Sequence, residues 1–456
     1  MKKESYHFIG IGGIGMSGLA RILLSEGISV TGSDLNHSGT IKELEKLGAV
    51  FFLGNHSSHV QPGMTVVYSS AVKQSNPEYK RALSLKCSLL HRSDLLKQMV
   101  MGYKGIAIAG THGKTSTSSL LAAVMCHAGL DPSYAVGGIL ADFNNNGAKG
   151  KGEYFILEAD ESDGTFVKYP SFGAIVTNIE KEHLDHYRTE KALHTAFKKF
   201  ISQVHSKNLL FTCEEDPGLR KYYRGPSIRY GFVEGCDLRA YHCRQGDWGT
   251  TFDVSFEGKR YLDVKISLPG RHNVLNALAV FGMALRLGVL EDDIRRAFLG
   301  FKGVARRCQK YAECREILFI DDYAHHPTEI ESTLQAVRAS VKNRRIVAVF
   351  QPHRYSRTRD CMKGFSKAFV GADHLVLTDI YGAGESPIAG VCEETLLHEI
   401  KIGGSLSCEH VCRENLLEFL SDFLHPFDVA LFMGAGDITA VARELYENFA
   451  KCSLKR

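Results

Sequence analysis

No stretch of the 456 residues approaches the roughly 20 consecutive apolar residues that a membrane-spanning helix needs, so no membrane insertion is expected. The opening residues, MKKESYHF, are polar and run straight into glycines, which breaks the hydrophobic region of a secretory signal and leads us to expect a cytoplasmic protein. Excess charge of one sign is missing too. Against 55 Lys and Arg stand 51 Asp and Glu, a formal charge of only +4, far from the basic signature of a nucleic-acid binder. The chain has no solenoid repeat and no low-complexity tract. Its 12 cysteines are scattered singly, as expected of reduced thiols in a large cytosolic core that needs no disulfides. The tightest group, CEHVC from Cys408 to Cys412, has no second ligand pair nearby and is read as structure rather than as a zinc site.

What is there is ample material for packed cores, with 44% hydrophobic residues in a chain too long for one core. Short apolar runs alternate with amphipathic segments throughout, the pattern of α/β domains built on largely parallel sheets. YHFI predicts a strand, Met16 to Glu26 a helix closed by Gly27, and ISVTGSD a second strand ending in Asp34. A fresh unit begins with GIAIAGTHGKTST, and a third near Gly300. Between about Leu210 and Leu268 the spacing suggests a small antiparallel appendage. The expected domains are 1–100, 101–299 and 300–456, with ligands at the carboxyl ends of the strands.

Gly10, Gly12 and Gly15 fall between the first strand and the first helix, where backbone N–H groups can approach a diphosphate, and Asp34 ends the next strand. Taken alone, this fingerprint fits a dinucleotide oxidoreductase. The second glycine loop changes the balance: GTHGKT places Gly110, Gly113, Lys114 and Thr115 at another strand-to-helix turn, a short variant of the phosphate-binding loop. Lys114 suits the β and γ phosphates and Thr115 a magnesium ion. Two phosphate sites fit a nucleotide-linked substrate plus ATP better than a redox enzyme. Glu158 at a strand end, followed by Asp160, Glu161 and Asp163, supplies hard oxygen ligands, and EKEHLDH adds His183.

The run GIGGIGMSG, TGSDLN, GTHGKTST, EADESD, TNIEKEHLDHY, LPGRHNVLNALA, GVARR, DDYAHHPTE, FQPHRYSRT, YGAGESPI and MGAGDI resembles the Mur ligase family, in its alanine-adding branch, over nearly the whole chain. The resemblance implies three domains: a Rossmann-like N-terminal domain for a UDP-sugar, a P-loop ATPase centre and a Rossmann-like C-terminal domain. It implies ATP and Mg2+ as cofactors, and UDP-N-acetylmuramate and L-alanine as partners. Gly10, Gly12, Gly13 and Gly15 would hold the UDP diphosphate, with Asp34, Ser69 and Ser70 nearby. Gly110, Thr111, His112, Gly113, Lys114, Thr115 and Ser116 would cradle ATP, and Thr115, Glu158 and His183 the magnesium. Asn273 and Asn276, with His272 beside them, look like adenine contacts. Arg307 looks like the γ-phosphate arginine, Asp322 like the ribose contact and Tyr323 like a neighbour of the nucleotide. His325, Arg354 and Arg357 match positions that line the alanine pocket. Cys308 stands where the family usually has an aromatic residue, which bears on packing. The role of a carbamoylated lysine found in some Mur ligases is not transferred to Lys198 or Lys199.

The chemistry is coherent in its own right. A carboxylate must be converted by ATP to an acyl phosphate before an amine can attack, and Lys114, Arg307 and magnesium suit the charge that develops. His325 is a candidate proton acceptor; the alternative is that HHP is a helix start before Pro327 with an ordinary capping histidine. Two alternatives stay open: a murein-peptide ligase adding a tripeptide, whose branch tends to replace the GIGGIGMSG and FQPHRYSRT patterns and to read EADEYD where this chain has EADESD, and a nucleotide-binding redox enzyme with NAD in the Gly10 loop.

Overall fold

The computed structural model describes residues 4–169, 171–404 and 406–453. It contains three sheets, each with its strands threaded by helices. In the first, β1 (Ser5–Ile9), β2 (Ser29–Asp34), β3 (Val50–Leu53), β4 (Thr65–Tyr68) and β5 (Ser88–His91) pair in parallel in the order β3-β2-β1-β4-β5. The chain reverses winding at β1, so the carboxyl end of β1 is the switch point where such sheets take ligands. HRSDLLKQMV, expected to close the domain, forms the helix Arg92–Val100.

The second sheet has ten strands: β6 (Lys104–Ala109), β7 (Ser133–Leu140), β8 (Asn145–Ala148), β9 (Tyr154–Ala159), β10 (Gly173–Val176), β11 (Leu210–Cys213), β12 (Ile228–Gly231), β13 (Leu238–Gln245), β14 (Thr250–Phe256) and β15 (Lys259–Ile266). Their order is β15-β14-β13-β12-β11-β10-β6-β9-β7-β8. The antiparallel appendage expected between about Leu210 and Leu268 is corrected for its first part, β11 to β13. β11, β12 and β13 each pair in parallel with their predecessor and extend the second sheet itself. Short strands separated by glycine and charged turns look like independent hairpins in a sequence, but burial of Phe211, Tyr230 and Leu238 draws them into one core.

The third sheet runs β16-β17-β21-β18-β19-β20, from β16 (Gln309–Lys310), β17 (Leu318–Asp322), β18 (Ile346–Phe350), β19 (His374–Leu377), β20 (Ser407–His410) and β21 (Val429–Met433). All neighbours are parallel except the short β16. Every residue of β17, β18 and β21 is buried, because helices cover both faces of the sheet.

These elements form two compact units. One comprises the residues up to His242 with Phe252–Val264 and Leu275–Lys302; the other comprises Cys243–Thr251, Lys265–Val274 and the chain from Gly303 on. The first two sheets thus share a unit. Their union is visible where the helix Ile14–Ser25 meets β8: a Cβ at Gly147 would collide with the Gly18 backbone, and one at Gly18 would lie only 3.1 Å from Asn146 O. Asn146 seals that contact, its Nδ2 donating to Ile14 O (2.5 Å) and Ser17 Oγ (3.1 Å). Among the described residues no helix is long and apolar enough to cross a membrane.

Candidate functional site

In the first unit, β1 ends in a turn begun by Gly10 at φ +80°, and the N–H groups of Gly10 and Ile11 both donate to Ser33 O. This folds the loop over the end of β2 and presents Gly13 as N-cap of the helix Ile14–Ser25. A glycine cap offers the first-turn N–H groups no side chain, and although Met16 N–H turns to Gly13 O (2.9 Å), a helix start of this kind suits an anion. Asp34 bonds the loop rather than standing apart from it, its Oδ2 accepting Gly12 N–H at 3.0 Å. A Cβ at Gly15 would run into the Arg92 guanidinium, so Arg92, which sequence reasoning missed, stands at the helix start. Its Nη2 is 3.7 Å from Asp160 Oδ2. Ser70 Oγ donates to Asp163 Oδ2 (2.6 Å) and lies 3.0 Å from His91 Nε2. Ser69 immediately follows β4. The two glycine loops are therefore linked through the acidic run EADESD.

The second loop leaves β6 at Gly110 (φ +139°) and caps the helix Lys114–His127 with Gly113 in the left-handed region. The end of β10 holds it. Asn178 O accepts Thr111 N–H at 3.1 Å, Asn178 Oδ1 accepts His112 N–H at 2.8 Å, and Thr177 Oγ1 donates to His112 O at 2.6 Å. Thr177 and Asn178 open the TNIEKEHLDHY motif, yet nothing local in the sequence reveals them as loop clamps. Ser116 follows Thr115 in the helix, and Asn276, on the helix Arg271–Arg286, packs its Oδ1 against Gly113.

Lys114 lies at the centre. Its Nζ donates to Gly110 O (2.6 Å), Thr111 O (3.1 Å) and Glu161 Oε2 (2.7 Å), and the Glu161 side chain is 1% exposed. Burial alone would depress the ammonium, but Glu161, Asp160 and Glu158 outweigh it and raise the lysine above its ordinary range. Burial likewise pushes against the Asp160 carboxylate, and Lys114 and Arg92 hold it below its usual value. Thr115 Oγ1 donates to Glu158 Oε1 (3.1 Å), and Glu158 Oε2 accepts Gly137 N–H (2.8 Å). His183 Nε2 sits 3.5 Å from Glu161 Oε1 and 3.7 Å from Glu182 Oε2; burial would lower this imidazole, but the acids raise it. Glu161 Oε1 is buried without a hydrogen-bond partner. A hydroxyl, carboxylates and an imidazole with no thiolate among them form a donor set that suits a hard divalent cation, so these residues fit magnesium. Glu161, one of the four acids the sequence offers as hard oxygen ligands, joins Lys114 to His183.

If Thr115, Glu158 and His183 hold that cation, Glu158→Gln and His183→Ala each raise the magnesium concentration needed for half-maximal activity, by about tenfold or more. A titration of activity against magnesium reads this, and an unchanged midpoint in both variants returns the two residues to a purely structural role.

In the second unit, β17 ends at Asp322, a residue whose burial pushes its carboxyl up to about 6 against the opposing pull of Arg307. Its two oxygens accept Cys308 N–H (2.5 Å) and Ala324 N–H (2.7 Å). The acid thus ties the GVARR segment to the DDYAHHP turn. Cys308 itself is buried in the core beside β17. The guanidinium carbons of Arg306 and Arg307 lie 4.8 and 5.0 Å from the Tyr323 ring. The two histidines of HHP differ in placement: His326 caps the helix Pro327–Val341, whereas His325 Nδ1 lies 2.8 Å from Tyr323 O. Donation from Nδ1 to that carbonyl puts the basic lone pair of neutral His325 on Nε2.

Beyond the end of β18, His353 is 6.0 Å from His325, ring to ring, and its Nδ1 is 3.0 Å from Arg357 Nη1. Burial, reinforced by Arg357, His325 and Arg354, drives His353 down to about 3, so it stays neutral. Arg354 Nε donates to Glu385 Oε1 (2.5 Å), and Ser356 Oγ shares that oxygen (2.7 Å). His353 and Glu385 contact the two candidate arginines, and sequence reasoning passed over both inside motifs it had quoted. His272 is half-buried, with desolvation pushing its imidazole down to about 4, and Asn273 donates from Nδ2 to Pro269 O.

Residues 5–104 match the family model described as Mur ligase family, catalytic domain, residues 108–284 the Mur ligase middle domain, and residues 306–436 the Mur ligase, glutamate ligase domain. Over 440 residues the chain is 48% identical to a UDP-N-acetylmuramate–L-alanine ligase of Protochlamydia amoebophila, covering 96% of this chain and 97% of the relative. It is 43% identical to the bifunctional enzyme MurC/Ddl of Chlamydia caviae, aligning over 97% of this chain but only 54% of that longer protein. Among solved structures, the UDP-N-acetylmuramate-alanine ligase MurC of Thermotoga maritima superposes with a TM-score of 0.85 at 30% identity, covering 98% of this chain and 99% of the other. A murein peptide ligase of Psychrobacter arcticus shares the fold at a TM-score of 0.74 and 24% identity, with 98% of each chain covered.

Proposed function

The chain belongs to the Mur ligase family of ATP-dependent enzymes, and from that premise we propose that it joins L-alanine to the lactyl carboxylate of UDP-N-acetylmuramate, releasing ADP and phosphate, in the cytoplasm. The observation that carries this reading is the 48% identity to an alanine-adding ligase running through 96% of the chain. The retained EADESD and FQPHRYSRT patterns favour it over tripeptide addition. We assign the UDP-sugar to residues 1–100, ATP to 101–299 and the amino acid to 300–456.

In this reading the glycine loop from Gly10 to Gly15, with Arg92 beside it, holds the diphosphate, Ser69 and Ser70 flank the sugar, and Asp34 keeps the loop in shape. Gly110 to Ser116 cradle the ATP phosphates. The lactyl carboxylate attacks the γ-phosphoryl group, and Lys114 and Arg307 stabilise the charge that spreads over its oxygens. Thr115, Glu158 and His183 would hold magnesium, with Glu161 adjoining; the chemistry it supplies when bound is neutralisation of phosphate charge. His272, Asn273 and Asn276 are assigned to the adenine. Asp322 acts by fixing the loop that carries Arg307, a scaffold role beside the ribose contact the resemblance implies. Arg354 and Arg357 orient the alanine carboxylate, and His325 takes the amine's proton at Nε2 as the nitrogen attacks the acyl carbon and phosphate leaves.

Phosphate release measured with UDP-N-acetylmuramate and ATP, with and without alanine, tests the reading. Release should require both the sugar nucleotide and alanine. Preference for an L-Ala-led tripeptide over free alanine would replace this function with murein-peptide ligation, and NAD reduction without phosphate release would overturn it.

A further inference from the structure

In the second unit β19 and β20 run side by side in parallel, with Leu377 opposite His410. The chain leaves β19 through Thr378 to Asp379 and leaves β20 through Val411 to Cys412. Adjacent strand ends thus deliver three potential metal donors to one place. One donor atom each from Asp379, His410 and Cys412 lies within 4.8 Å of the others. His410 Nε2 is 2.9 Å from Asp379 Oδ1, while Asp379 Oδ2 accepts Arg413 N–H at 2.9 Å, which fixes the carboxylate's orientation. The one cationic side chain of that turn, Arg413, directs its Nη2 to Asp437 Oδ2 at 3.3 Å, so its charge is already answered. Cys412 is exposed and open to an ion from solvent. In sequence CEHVC lacks a further ligand; the fold supplies it from a residue 31 positions before His410.

We propose that Asp379, His410 and Cys412 bind a single divalent transition-metal ion of the zinc class, with the fourth position left to water. A carboxylate, an imidazole and a thiolate are the borderline-to-soft set that selects zinc over magnesium. Tetrahedral zinc places such donor atoms about 3.3–3.7 Å apart, given bonds of about 2.0–2.3 Å, so side-chain rotations of about 1 Å close the site. Binding releases the Cys412 thiol proton to solvent, while neutral His410 ligates through one ring nitrogen and keeps its proton on the other. Asp379 opens the segment that carries Tyr381 and Glu385, and Tyr381 O accepts Arg354 N–H at 2.8 Å. A bound ion therefore pins the start of a loop that supports Arg354.

Cobalt(II) titration of the full chain, with excess magnesium present to occupy the oxygen-rich site around Glu158, tests this by the thiolate-to-cobalt charge-transfer absorption that only a cysteine ligand gives. Wild type should show one saturable equivalent, displaced by zinc. Cys412→Ser and His410→Ala should abolish the band, Asp379→Asn should weaken binding by about tenfold or more, and Cys408→Ser should leave it intact. The exposed position of Cys412 keeps its serine variant folded. No charge-transfer band in the wild type, or a band that survives Cys412→Ser, overturns the proposal.

Discussion

Lys114→Ala loses about a hundredfold or more in turnover, the cost of removing one preorganised donor from a developing charge, while UDP-N-acetylmuramate still binds. The lysine is also the counter-charge of a buried acid. Glu161 is 1% exposed and receives Lys114 Nζ at 2.7 Å, so the alanine variant strands a carboxylate in the interior. Breaking such a pair from one side costs about 3–5 kcal/mol of stability. Activity could therefore fall because the protein unfolds, and a double variant separates the causes. Lys114→Ala with Glu161→Gln removes the stranded charge and should recover much of the melting temperature without recovering turnover. Turnover by phosphate release, thermal unfolding and calorimetric binding of the sugar nucleotide read the three effects. Near-normal turnover in either variant would remove Lys114 from the chemistry.

Arg357→Lys raises the alanine KM by about 30-fold or more and leaves the ATP KM and sugar-nucleotide binding near wild type. An ammonium cannot reproduce the two-pronged grip of a guanidinium on a carboxylate, and truncating one partner of a desolvated charge pair costs about 2–5 kcal/mol. Arg354→Lys should do less to alanine directly, because Arg354 Nε already donates to Glu385 Oε1. Its loss acts through the loop, so Glu385→Gln should copy it. The backbone supports this division of labour: Arg354 stands at φ 70°, ψ 130°, a conformation that costs a non-glycine residue energy and persists because Glu385 and Tyr381 O hold both its side chain and its N–H. Normal alanine kinetics in both arginine variants would refute the pocket, whereas equal weakening of alanine, ATP and sugar-nucleotide binding would assign the arginines to conformational closure.

The parts of this site legible in the sequence are those whose chemistry is local. Gly10 and Gly113 announce themselves because a strand that must turn sharply into a helix needs positive φ, and Lys114 and Thr115 follow at fixed offsets. Glu161 did not stand out among four neighbouring acids, because its pairing with both Lys114 and His183 depends on how three separate segments pack. Arg92 belongs to a helix 77 positions after Gly15, and only the tertiary fold brings its guanidinium to that glycine. The two histidines of HHP are indistinguishable in sequence; Pro327 at the first helical position makes His326 the cap and leaves His325 to face Tyr323. The four-residue β3 and the parallel extension β11–β13 escaped notice for another reason. Short strands carry little periodicity, and sheet partners are chosen by distant burial.

The central claim is that ATP activates the lactyl carboxylate as an acyl phosphate that alanine then attacks. Labelling both oxygens of that carboxylate with oxygen-18 and analysing the released phosphate by mass spectrometry tests it directly. One labelled oxygen should appear in each phosphate, in step with formation of the alanyl amide. Unlabelled phosphate alongside amide formation would contradict carboxylate activation, and label in phosphate without alanine incorporation would contradict the assigned acceptor.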